Sequence, residues 1–317
     1  MMIRAVTALA GCISLRWSLH QLVKPTRYRS QGWGSVGHTM SLRPTTRLDG
    51  VGTGQLTQVE RADRVAVEAP LTVMLGDQAL VTTMRTPGHD LELAAGWLVG
   101  EVGLRNPGEL LTLKACSAPH RHQAADPQPW SDEVGSVQVT LAPSVQPPRP
   151  RATLASSACG ICSSDVIEAL PAPYAPLHTA EWRLGPQQAL ELVDQMRARQ
   201  RMFDLTGALH AAALVSPDLH VRWVREDVGR HNAVDKVIGC ALLDDALPLT
   251  DHVLVVSGRV AYEIVAKALR ACIGAIVAVS GPTSLAVDVA RAHDLLLVGF
   301  ARSDRMNVYA GQGWMAP

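Results

Sequence analysis

The segment HVLVVSGRVAYEIVAKALRACIGAIVAVSG, residues 252–281, decides the fold class of this chain. It contains two short apolar runs, each followed by Ser-Gly, with a stretch of helix length between them. Short continuous apolar runs are typical of buried strands, and strands that alternate with helices form parallel sheets. The segment therefore predicts strands over 252–257 and 275–280, joined by a helix over 260–272.

The same alternation extends from Gly185 to the end of the chain. It predicts further helices over 186–199, 231–245 and 283–293, and further strands over 208–216, 219–225 and 295–300. We expect a largely parallel sheet with helices on both faces. Ligands of such sheets bind at loops beyond the carboxyl ends of the strands. Here those loops contain REDVGRHN (225–232), SGRVAYE (257–263), SGPTS (280–284) and FARSDR (300–305).

The N-terminal half has the pattern of a β-rich unit. Apolar and polar residues alternate over residues 63–88 around a Gly76-Asp77 turn, which predicts a hairpin. Asp90 is a plausible N-cap for a helix with Leu91, Ala94 and Leu98 on one face. The predicted strands lie near 64–69, 71–76, 78–84, 109–115 and 134–141, and the polar residues 117–132 are predicted to form a surface loop.

Composition excludes several classes of protein. The chain has 317 residues and a formal net charge of zero, which argues against binding of nucleic acid or membrane surfaces through bulk charge. Its apolar runs are shorter than the roughly 20 residues that a membrane-spanning helix needs. The six cysteines are scattered apart from one pair, which favours a reducing cytoplasm over a disulfide-stapled secreted protein.

The first residues, MMIRAVTALAGC, have a basic start and a short apolar run before Cys12, a superficial export or lipoprotein signal. The run is at the short limit for a signal peptide, and the residues that follow up to Met40 are basic, acid-free and without pattern. We therefore expect Met40 to be the true start and residues 1–39 to be a non-native or disordered extension.

The close cysteine pair, Cys159 and Cys162, lies in SSACGICSSD (156–165) at the end of the Pro-rich stretch 142–158. Serine and glycine flanks after such a stretch favour an exposed position on a mobile loop. The following residues, SSDVIEAL, predict a helix whose N-terminus favours a thiolate. Cys159 therefore has the character of a reactive nucleophile, and Cys162 that of its helper.

Three other chemistries use a cysteine pair. A structural zinc site needs four ligands, and no second Cys-x-x-Cys is present, although His210 and His231 could complete a site in principle. A thioredoxin-like protein carries its pair after the first strand of a short domain, unlike this loop. A zinc deaminase needs His-x-Glu before its cysteines. Here Ala212 replaces the acid and His210 follows the cysteines, so only a related fold stays open.

The polar loops have a structural and a functional interpretation. The first three residues of REDVGRHN can form a salt-linked turn, whereas Gly229, Arg230 and His231 at a helix start are a plausible anion cradle. Ser257 and Arg259 repeat that arrangement between a strand and the next helix. His210, in an apolar context, is either a satisfied buried histidine or a ligand-facing one. We expect Cys116, Cys240 and Cys272 to be packing residues.

Several motifs together resemble one family, the formate dehydrogenase accessory sulfurtransferase family, FdhD. They are SSACGIC, TGALHAAAL, REDVGRHNAVDKVIG, the run from Ser257 to Ala290, and VGFARSDRMNVYAG. The resemblance covers about Val59 to Gly311, and REDVGRHNAVDK is long and irregular enough to be highly specific. Ser163 stands where the family commonly has glycine, and residues 1–39 have no counterpart in it.

The resemblance implies a cytoplasmic sulfur carrier. It would accept sulfur as a cysteine persulfide from a cysteine desulfurase and pass it to the molybdenum cofactor, Mo-bis(molybdopterin guanine dinucleotide), for formate dehydrogenase. The cofactor is then a bound substrate, and no intrinsic metal is expected. We expect a homodimer that binds neither nucleic acid nor membrane. The alternative is a non-catalytic chaperone that binds the cofactor or the apo-dehydrogenase.

The implied fold is α/β, similar to cytidine deaminase, with a layered sheet, helices on both faces and a smaller N-terminal β-rich subdomain. The predicted units are residues 1–39, the β-rich subdomain 40–150, a mobile loop and short helix 151–184 with the cysteine pair, and an α/β cofactor-binding domain 185–317.

The resemblance makes Cys159 the persulfide cysteine and Cys162 its assistant, and it assigns cofactor binding to FARSDR. Phe300 can stack on a purine, Arg302 and Arg305 can pair with phosphate, and Asp304 can accept from guanine. The alternative for this segment is a strand end with solvated charges. The predicted cofactor-binding set is Arg230, His231, Ser257, Arg259, Phe300, Ala301, Arg302, Ser303, Asp304 and Arg305.

Overall fold

The computed structural model describes residues 12–16, 39–52, 55–117, 135–148, 154–155 and 172–317. The segment 252–281 forms the predicted unit of strand, helix and strand, with the helix at Tyr262–Arg270. The predicted loop 117–132, all but its first residue, and the helix predicted over SSDVIEAL lie outside the described residues, as do Cys159 and Cys162.

The strands are β1 (Cys12–Arg16), β2 (Met40–Asp49), β3 (Thr57–Ala66), β4 (Ala69–Leu75), β5 (Gln78–Arg85), β6 (Leu110–Ser117), β7 (Gly135–Leu141), β8 (Leu154–Ala155), β9 (His210–Val215), β10 (Val221–Asp227), β11 (Val253–Val256), β12 (Ala275–Ala278), β13 (Leu296–Arg302) and β14 (Arg305–Ala310). The helices are α1 (Asp90–Val102), α2 (Pro186–Arg197), α3 (Arg201–Thr206), α4 (Arg230–Leu243), α5 (Tyr262–Arg270) and α6 (Ser284–Ala292). Short 3-10 turns occupy Pro107–Glu109 and Gln312–Trp314.

The second sheet has the order β10-β9-β11-β12-β13-β14. Strands β11, β12 and β13 are parallel, as the segment 252–281 predicts. Strand β9 is antiparallel to both of its neighbours, and β14 is antiparallel to β13. The expectation of a largely parallel sheet is therefore wrong. Short turns join β9 to β10 and β13 to β14, and strands joined by short turns pair as antiparallel hairpins.

Helices cover both faces of this sheet, as predicted. Alternate residues of β11 face opposite sides: Leu254 and Val256 pack in the core that includes α4, α5 and α6, whereas Val253 and Val255 pack against α2. This alternation is the two-residue period of a strand, with both sets apolar because both faces are buried.

The first sheet has the order β1-β6-β7-β4-β5-β8 and packs its buried face on α1. The hairpin of β4 and β5 around the Gly76-Asp77 turn is confirmed, with Leu75 opposite Gln78. Helix α1 begins one residue earlier than predicted, because Asp90 is its first residue and His89 its N-cap. The Asp90 carboxylate instead accepts two hydrogen bonds from Arg85, at 3.0 and 3.1 Å.

Helices α1 and α4 cross between the two sheets at two glycines. A Cβ atom added to Gly96 would lie 1.8 Å from the carbonyl oxygen of Asp235, and one added to Gly239 would lie 1.8 Å from that of Glu92. Both obstacles are backbone atoms, so no side chain can move aside to make room. The layers are therefore the first sheet, a layer of helices, the second sheet and helix α2, and within the helical layer α1 and α4 pack backbone to backbone.

Substitution of Gly239 by alanine is expected to destabilise the fold. Overpacking of a closely packed interior costs about 1–3 kcal/mol, and a clash with backbone lies at the upper end of that range or above it. Urea unfolding followed by circular dichroism measures this loss as a lower midpoint. Gly313→Ala is the matched control, because no atom lies within 4 Å of its added Cβ. Equal midpoints for the two variants would contradict the glycine crossing.

Buried ion pairs tie the same layers together. Arg225 on β10 donates two hydrogen bonds to Glu92 on α1, at 2.7 and 2.9 Å. Lys267 on α5 contacts Asp235 on α4 at 2.6 Å, and burial raises the pKa of that aspartate to about 6 against the opposing effect of the lysine. Each pair bridges two elements, so it fixes how those elements face one another.

Strands β2 and β3 form a separate two-stranded ribbon, with Met40 opposite Ala66 and Asp49 opposite Thr57. The sequence did not predict β2, because its residues are polar and proline-containing and neither face is buried as in a core strand. The strand predicted at 64–69 instead splits between the end of β3 and the start of β4. The ribbon exposes large apolar side chains, including Leu42 and Leu56, each 63% exposed.

The C-terminal turn packs around a histidine. The His178 ring stacks between Trp182, at a centroid distance of 4.7 Å, and Trp314, at 4.1 Å. Burial lowers the pKa of His178 to about 4, so the ring is neutral near pH 7.

No helix in the described part of the chain is long and apolar enough to cross a membrane.

Candidate functional site

Six strands meet at one edge of the second sheet, called here the carboxyl edge. Strands β10, β11, β12 and β13 end there, while the antiparallel strands β9 and β14 begin there, with His210 opposite Asp227 and Arg305 opposite Arg302. The four loops that the sequence singled out all follow these strand ends. The predicted position of the ligand loops is thus confirmed, even though the sheet is mixed.

Helices α4, α5 and α6 all begin at the carboxyl edge. The first N–H groups of a helix lack intrahelical acceptors and carry partial positive charge. Thr283 caps α6 by accepting a hydrogen bond from the Ala286 N–H at 3.4 Å. The N-cap residues of α4 and α5, Gly229 and Ala261, make no side-chain cap hydrogen bond. The N-cap side chains of these two helices therefore do not compete with an anion for the first N–H groups.

Asp227 holds the first turn of α4 in place. Its Oδ1 atom accepts from the Gly229 N–H at 2.8 Å and from Asn232 Nδ2 at 2.9 Å, while Oδ2 lies 2.7 Å from Lys236 Nζ. Oδ2 also accepts from the Thr86 N–H at 3.2 Å. These contacts give Asp227 and Asn232 a structural role in shaping the edge.

The other acidic residue of REDVGRHN is also structural. Glu226 accepts from the N–H groups of Met202 and Phe203, at 2.9 and 2.7 Å, and so caps α3. Arg225 binds Glu92, so the first three residues of this motif all have structural partners, but they lie on β10 and do not form the salt-linked turn among themselves that the sequence suggested. Arg230 and His231 are the members left for the anion cradle.

Three side chains with basic groups meet at the carboxyl edge. Burial lowers the pKa of Arg230, and the nearby charge of Arg259 lowers it further. The Arg230 Nε atom is buried and has no hydrogen-bond partner among the described residues. Burial and the charges of both arginines lower the pKa of His210, against a smaller opposing effect of Asp227. This concentration of positive charge favours an anionic ligand.

His231 and Ser257 are placed differently. His231 Nε2 lies 3.8 Å from the Glu263 carboxylate, which is on the first turn of α5. The Ser257 hydroxyl accepts from the Ala211 N–H at 2.8 Å, and so joins the end of β11 to the start of β9. Ser257 therefore has a structural contact, and its hydroxyl hydrogen remains for a ligand.

Phe300 stands at the end of β13 in a left-handed conformation, with φ 54°. Its N–H donates to the Ser280 carbonyl at 3.2 Å, and a Cβ on Gly281 would lie 2.7 Å from the ring. The ring is 38% exposed. A positive φ is uncommon outside glycine, asparagine and aspartate, so this backbone conformation is unfavourable for phenylalanine. The surrounding structure must therefore stabilise it, and with it the position of the ring.

The rest of FARSDR forms the tip of a hairpin. Arg302 pairs with Arg305 across a turn made by Ser303 and Asp304, and these four residues are exposed. Ala301 is fully buried and packs in the core beside α2. Only the backbone of Ala301 therefore remains for the predicted cofactor contact, while the charged side chains stand in solvent.

A continuous row of contacts joins these residues along the edge. The His210 Nδ1 atom and the Arg230 Cβ would lie 3.2 and 3.6 Å from a Cβ on Gly258. Val260 donates to the Gly281 carbonyl at 3.2 Å, and Gly281 in turn contacts the Phe300 ring. The edge thus has a basic end at Arg230 and Arg259 and an aromatic end at Phe300. These two ends suit the phosphates and the base of a nucleotide-like ligand.

Strand β8 brings the chain to this edge just before the cysteine pair. Leu154 and Ala155 pair in parallel with Thr82 and Thr83 of β5. The Thr83 hydroxyl donates to Asn232 Oδ1 at 3.3 Å, and Asn232 is in the first turn of α4. Ala155 precedes Cys159 by four residues, which span at most about 14 Å when fully extended.

The other cysteines whose side chains the structure describes differ in burial. Cys240 and Cys272 are buried, and burial raises the pKa of each thiol, so neither is a ready nucleophile. Cys116 is half-buried on β6. Among the described residues, no group of three or more His, Cys, Asp or Glu side chains is arranged to hold a metal ion.

These features define a mixed α/β protein with basic side chains gathered at one edge of the second sheet. A sequence model of the FdhD/NarQ family matches residues 66–316, and the chain belongs to this family. The chain is 43% identical over 256 residues to the sulfur carrier protein FdhD of Streptomyces coelicolor, covering 79% of this chain and 88% of that protein. It is 37% identical over 250 residues to the sulfur carrier protein FdhD of Sulfolobus acidocaldarius, with coverages of 78% and 89%.

A solved structure shares the fold. The crystal structure of a protein described as a formate dehydrogenase accessory protein, from Desulfotalea psychrophila, superposes with a TM-score of 0.65. It covers 88% of this chain and 100% of the crystallised one, at 23% sequence identity. The α/β class with several sheets is confirmed by this likeness, whereas similarity to cytidine deaminase stays a prediction.

The sequence left one residue of the edge undecided and missed another. His210 had two equal interpretations, because its neighbours in the sequence are apolar and its register with Asp227 is a tertiary feature. Thr83 carried no signal, since its link to Asn232 joins two residues 149 positions apart.

Proposed function

We propose that this protein carries sulfur as a persulfide on Cys159 and delivers it to the molybdenum cofactor, in its bis-guanine-dinucleotide form, for formate dehydrogenase. Membership of the FdhD/NarQ family supports the proposal, as do the relatives named sulfur carrier proteins. The single observation that carries it is the entry of the chain, through β8, beside the basic edge just before the cysteine pair.

The first transfer needs only an exposed thiolate. The Cys159 thiolate attacks the outer sulfur of the persulfide on a cysteine desulfurase, and the desulfurase cysteine leaves as a thiolate. One sulfur–sulfur bond forms and one breaks, so no external oxidant or reductant is needed. The product is Cys159 with one additional sulfur atom.

The second transfer must convert that sulfur to sulfide, which takes two electrons. The Cys162 thiolate can supply them by attacking Sγ of Cys159, which forms a disulfide and expels hydrosulfide toward the molybdenum. A dithiol reductant then restores both thiols. The spacing of two residues between the cysteines suits this exchange, and the cytoplasm is the compartment in which such thiols remain reduced.

The carboxyl edge suits the proposed cargo. The cofactor contains two pyrophosphates and two guanines, so it offers charge to Arg230, Arg259 and the uncapped helix N-termini. A guanine can stack on the Phe300 ring, which contacts the next loop of the edge. Arg302, Asp304 and Arg305 at the hairpin tip complete the proposed set, with Arg305 and Arg302 as additional phosphate partners.

The alternative of a non-catalytic chaperone uses the same edge and differs only at the cysteines. Transfer of sulfur from labelled cysteine, through this protein, to apo-formate dehydrogenase separates the two functions. In a reconstitution with a desulfurase and cofactor, Cys159→Ser is expected to lower dehydrogenase activation at least tenfold, because no other group replaces the thiolate.

Cys116→Ser is the matched control, since this half-buried cysteine lies on β6 of the first sheet. It is expected to retain full activation. Full activation by Cys159→Ser would rule out the carrier function and leave the chaperone function standing. The predicted homodimer and the identity of the desulfurase stay predictions.

A further inference from the structure

The assigned functions leave one polar side chain of the carboxyl edge unused. His210 is the first residue of β9, and its ring packs against Gly258, where an added Cβ would lie 3.2 Å from Nδ1 and 3.5 Å from Cε1. The ring is half-buried. Any side chain at position 258 would push it away, so the glycine keeps the imidazole at the edge.

The charged groups that face His210 come from three elements. Arg230 opens α4, Arg259 lies in the loop after β11, and Asp227 ends β10. Asp227 already accepts hydrogen bonds from Gly229, Asn232 and Thr86 and binds Lys236, so its charge is largely neutralised. Glu263 acts on Arg230 rather than on His210. The net field at the ring is therefore positive in the ligand-free protein, and the imidazole is neutral.

We propose that His210 is a third ligand-facing group of the site formed by Arg230 and Arg259, and that it takes up one proton when a dianion binds there. The inference rests on the anion site of the proposed function. It adds one property, the uptake of a proton when an anion binds, which can be measured without any sulfur transfer. The proton comes from solvent, and the imidazolium then donates a charge-assisted hydrogen bond to the bound anion.

The physical reason is the reversal of the local field. Two negative charges placed between the arginines offset the repulsion that now disfavours the imidazolium. By linkage, the affinity for the dianion must then rise as the pH falls. A shift of one pKa unit on binding corresponds to a tenfold difference in affinity between the acidic and alkaline limits. The uptake of a proton makes the affinity of the carboxyl edge for its anionic ligand depend on pH near the physiological range.

Sulfate is the probe that tests the proposal, because it keeps two negative charges throughout the relevant pH range. Isothermal titration calorimetry of the full chain at pH values from about 5.5 to 8 gives the affinity, and buffers of different ionisation enthalpy give the protons taken up. We expect the affinity of the wild type to rise about tenfold toward the acidic end, with uptake approaching one proton.

His210→Gln keeps a polar side chain that cannot be protonated, and it is expected to bind sulfate with little dependence on pH. The matched control is His220→Gln, in the turn at the opposite end of β9, which should behave as the wild type. A flat profile for the wild type would overturn the proposal, and so would an unchanged profile for His210→Gln, since the proton would then go to another group such as His231.

A measurement on the wild type alone guards against a variant that folds poorly. The His210 imidazole signal, followed by NMR, should titrate below the usual range without sulfate and at a higher pH with it. An identical midpoint in both conditions overturns the inference while leaving the proposed function intact. Conversely, normal proton uptake in a protein that never forms a persulfide would refute the carrier function alone.

Discussion

Replacement of both Arg230 and Arg259 by alanine is expected to weaken the binding of GDP by about 100-fold, which corresponds to about 2.7 kcal/mol. GDP presents the guanine and the pyrophosphate of the proposed cargo. Each arginine supplies a charge-assisted contact that is worth more than a neutral hydrogen bond. Fluorescence or calorimetric titration of the full chain measures the loss.

Stability measurements separate this binding function from a structural one. The like charges of Arg230 and Arg259 repel each other, and this repulsion adds to burial in lowering the pKa of Arg230. Arg259→Ala is therefore expected to leave the free energy of unfolding unchanged or slightly higher while affinity falls. Functional sites often carry such a cost in stability. A large loss of stability in Arg259→Ala would show that the residue is structural.

Arg222→Ala provides the control for charge alone. Arg222 is exposed near the start of β10, at the end of the strand opposite to the carboxyl edge, and its removal changes the net charge by the same amount as one of the edge arginines. It is expected to bind GDP as the wild type does. If Arg222→Ala weakened binding as much as Arg259→Ala, the attraction would come from overall charge rather than from a built site.

Local patterns in the sequence predicted the segments of the carboxyl edge. The alternation of apolar runs and helices from residue 185 predicted α4, α5, α6 and the three parallel strands, and Ser-Gly after each apolar run predicted the loops. The direction of β9 and β14 was missed, because the sheet partner of a strand is set by tertiary pairing that periodicity does not carry. Strand β2 of the ribbon was also missed. Neither of its faces is buried, so its sequence lacks the alternation of apolar and polar residues that predicts a strand.

The motif REDVGRHNAVDK predicted the family but not which of its residues lie at the carboxyl edge. Its length and irregularity indicated the family, yet the structure gives most of its charged residues internal partners. Arg225 binds Glu92, Asp227 binds Lys236, and Glu226 caps α3. Arg230 and His231 remain at the edge, and no sequence pattern could separate them from Arg225 and Glu226, because the partners of Arg225 and Glu226 are distant along the chain.

The central claim is that Cys159 is the sulfur-bearing residue, and mass spectrometry tests it most directly. The protein is incubated with a cysteine desulfurase and cysteine, thiols and persulfides are trapped by alkylation, and the peptide spanning Ala152 to Leu170 is analysed. We expect one added sulfur on Cys159 in the wild type, because the sequence around this pair predicts the exposed, thiolate-favouring setting that a persulfide acceptor needs.

Cys162→Ala should still acquire the sulfur and hold it longer, since the thiolate that releases it as hydrosulfide is missing. Cys159→Ala should lose the added mass from this peptide altogether. Persulfide on Cys162 or on Cys116 in the Cys159→Ala protein, at the level found in the wild type, would contradict the account.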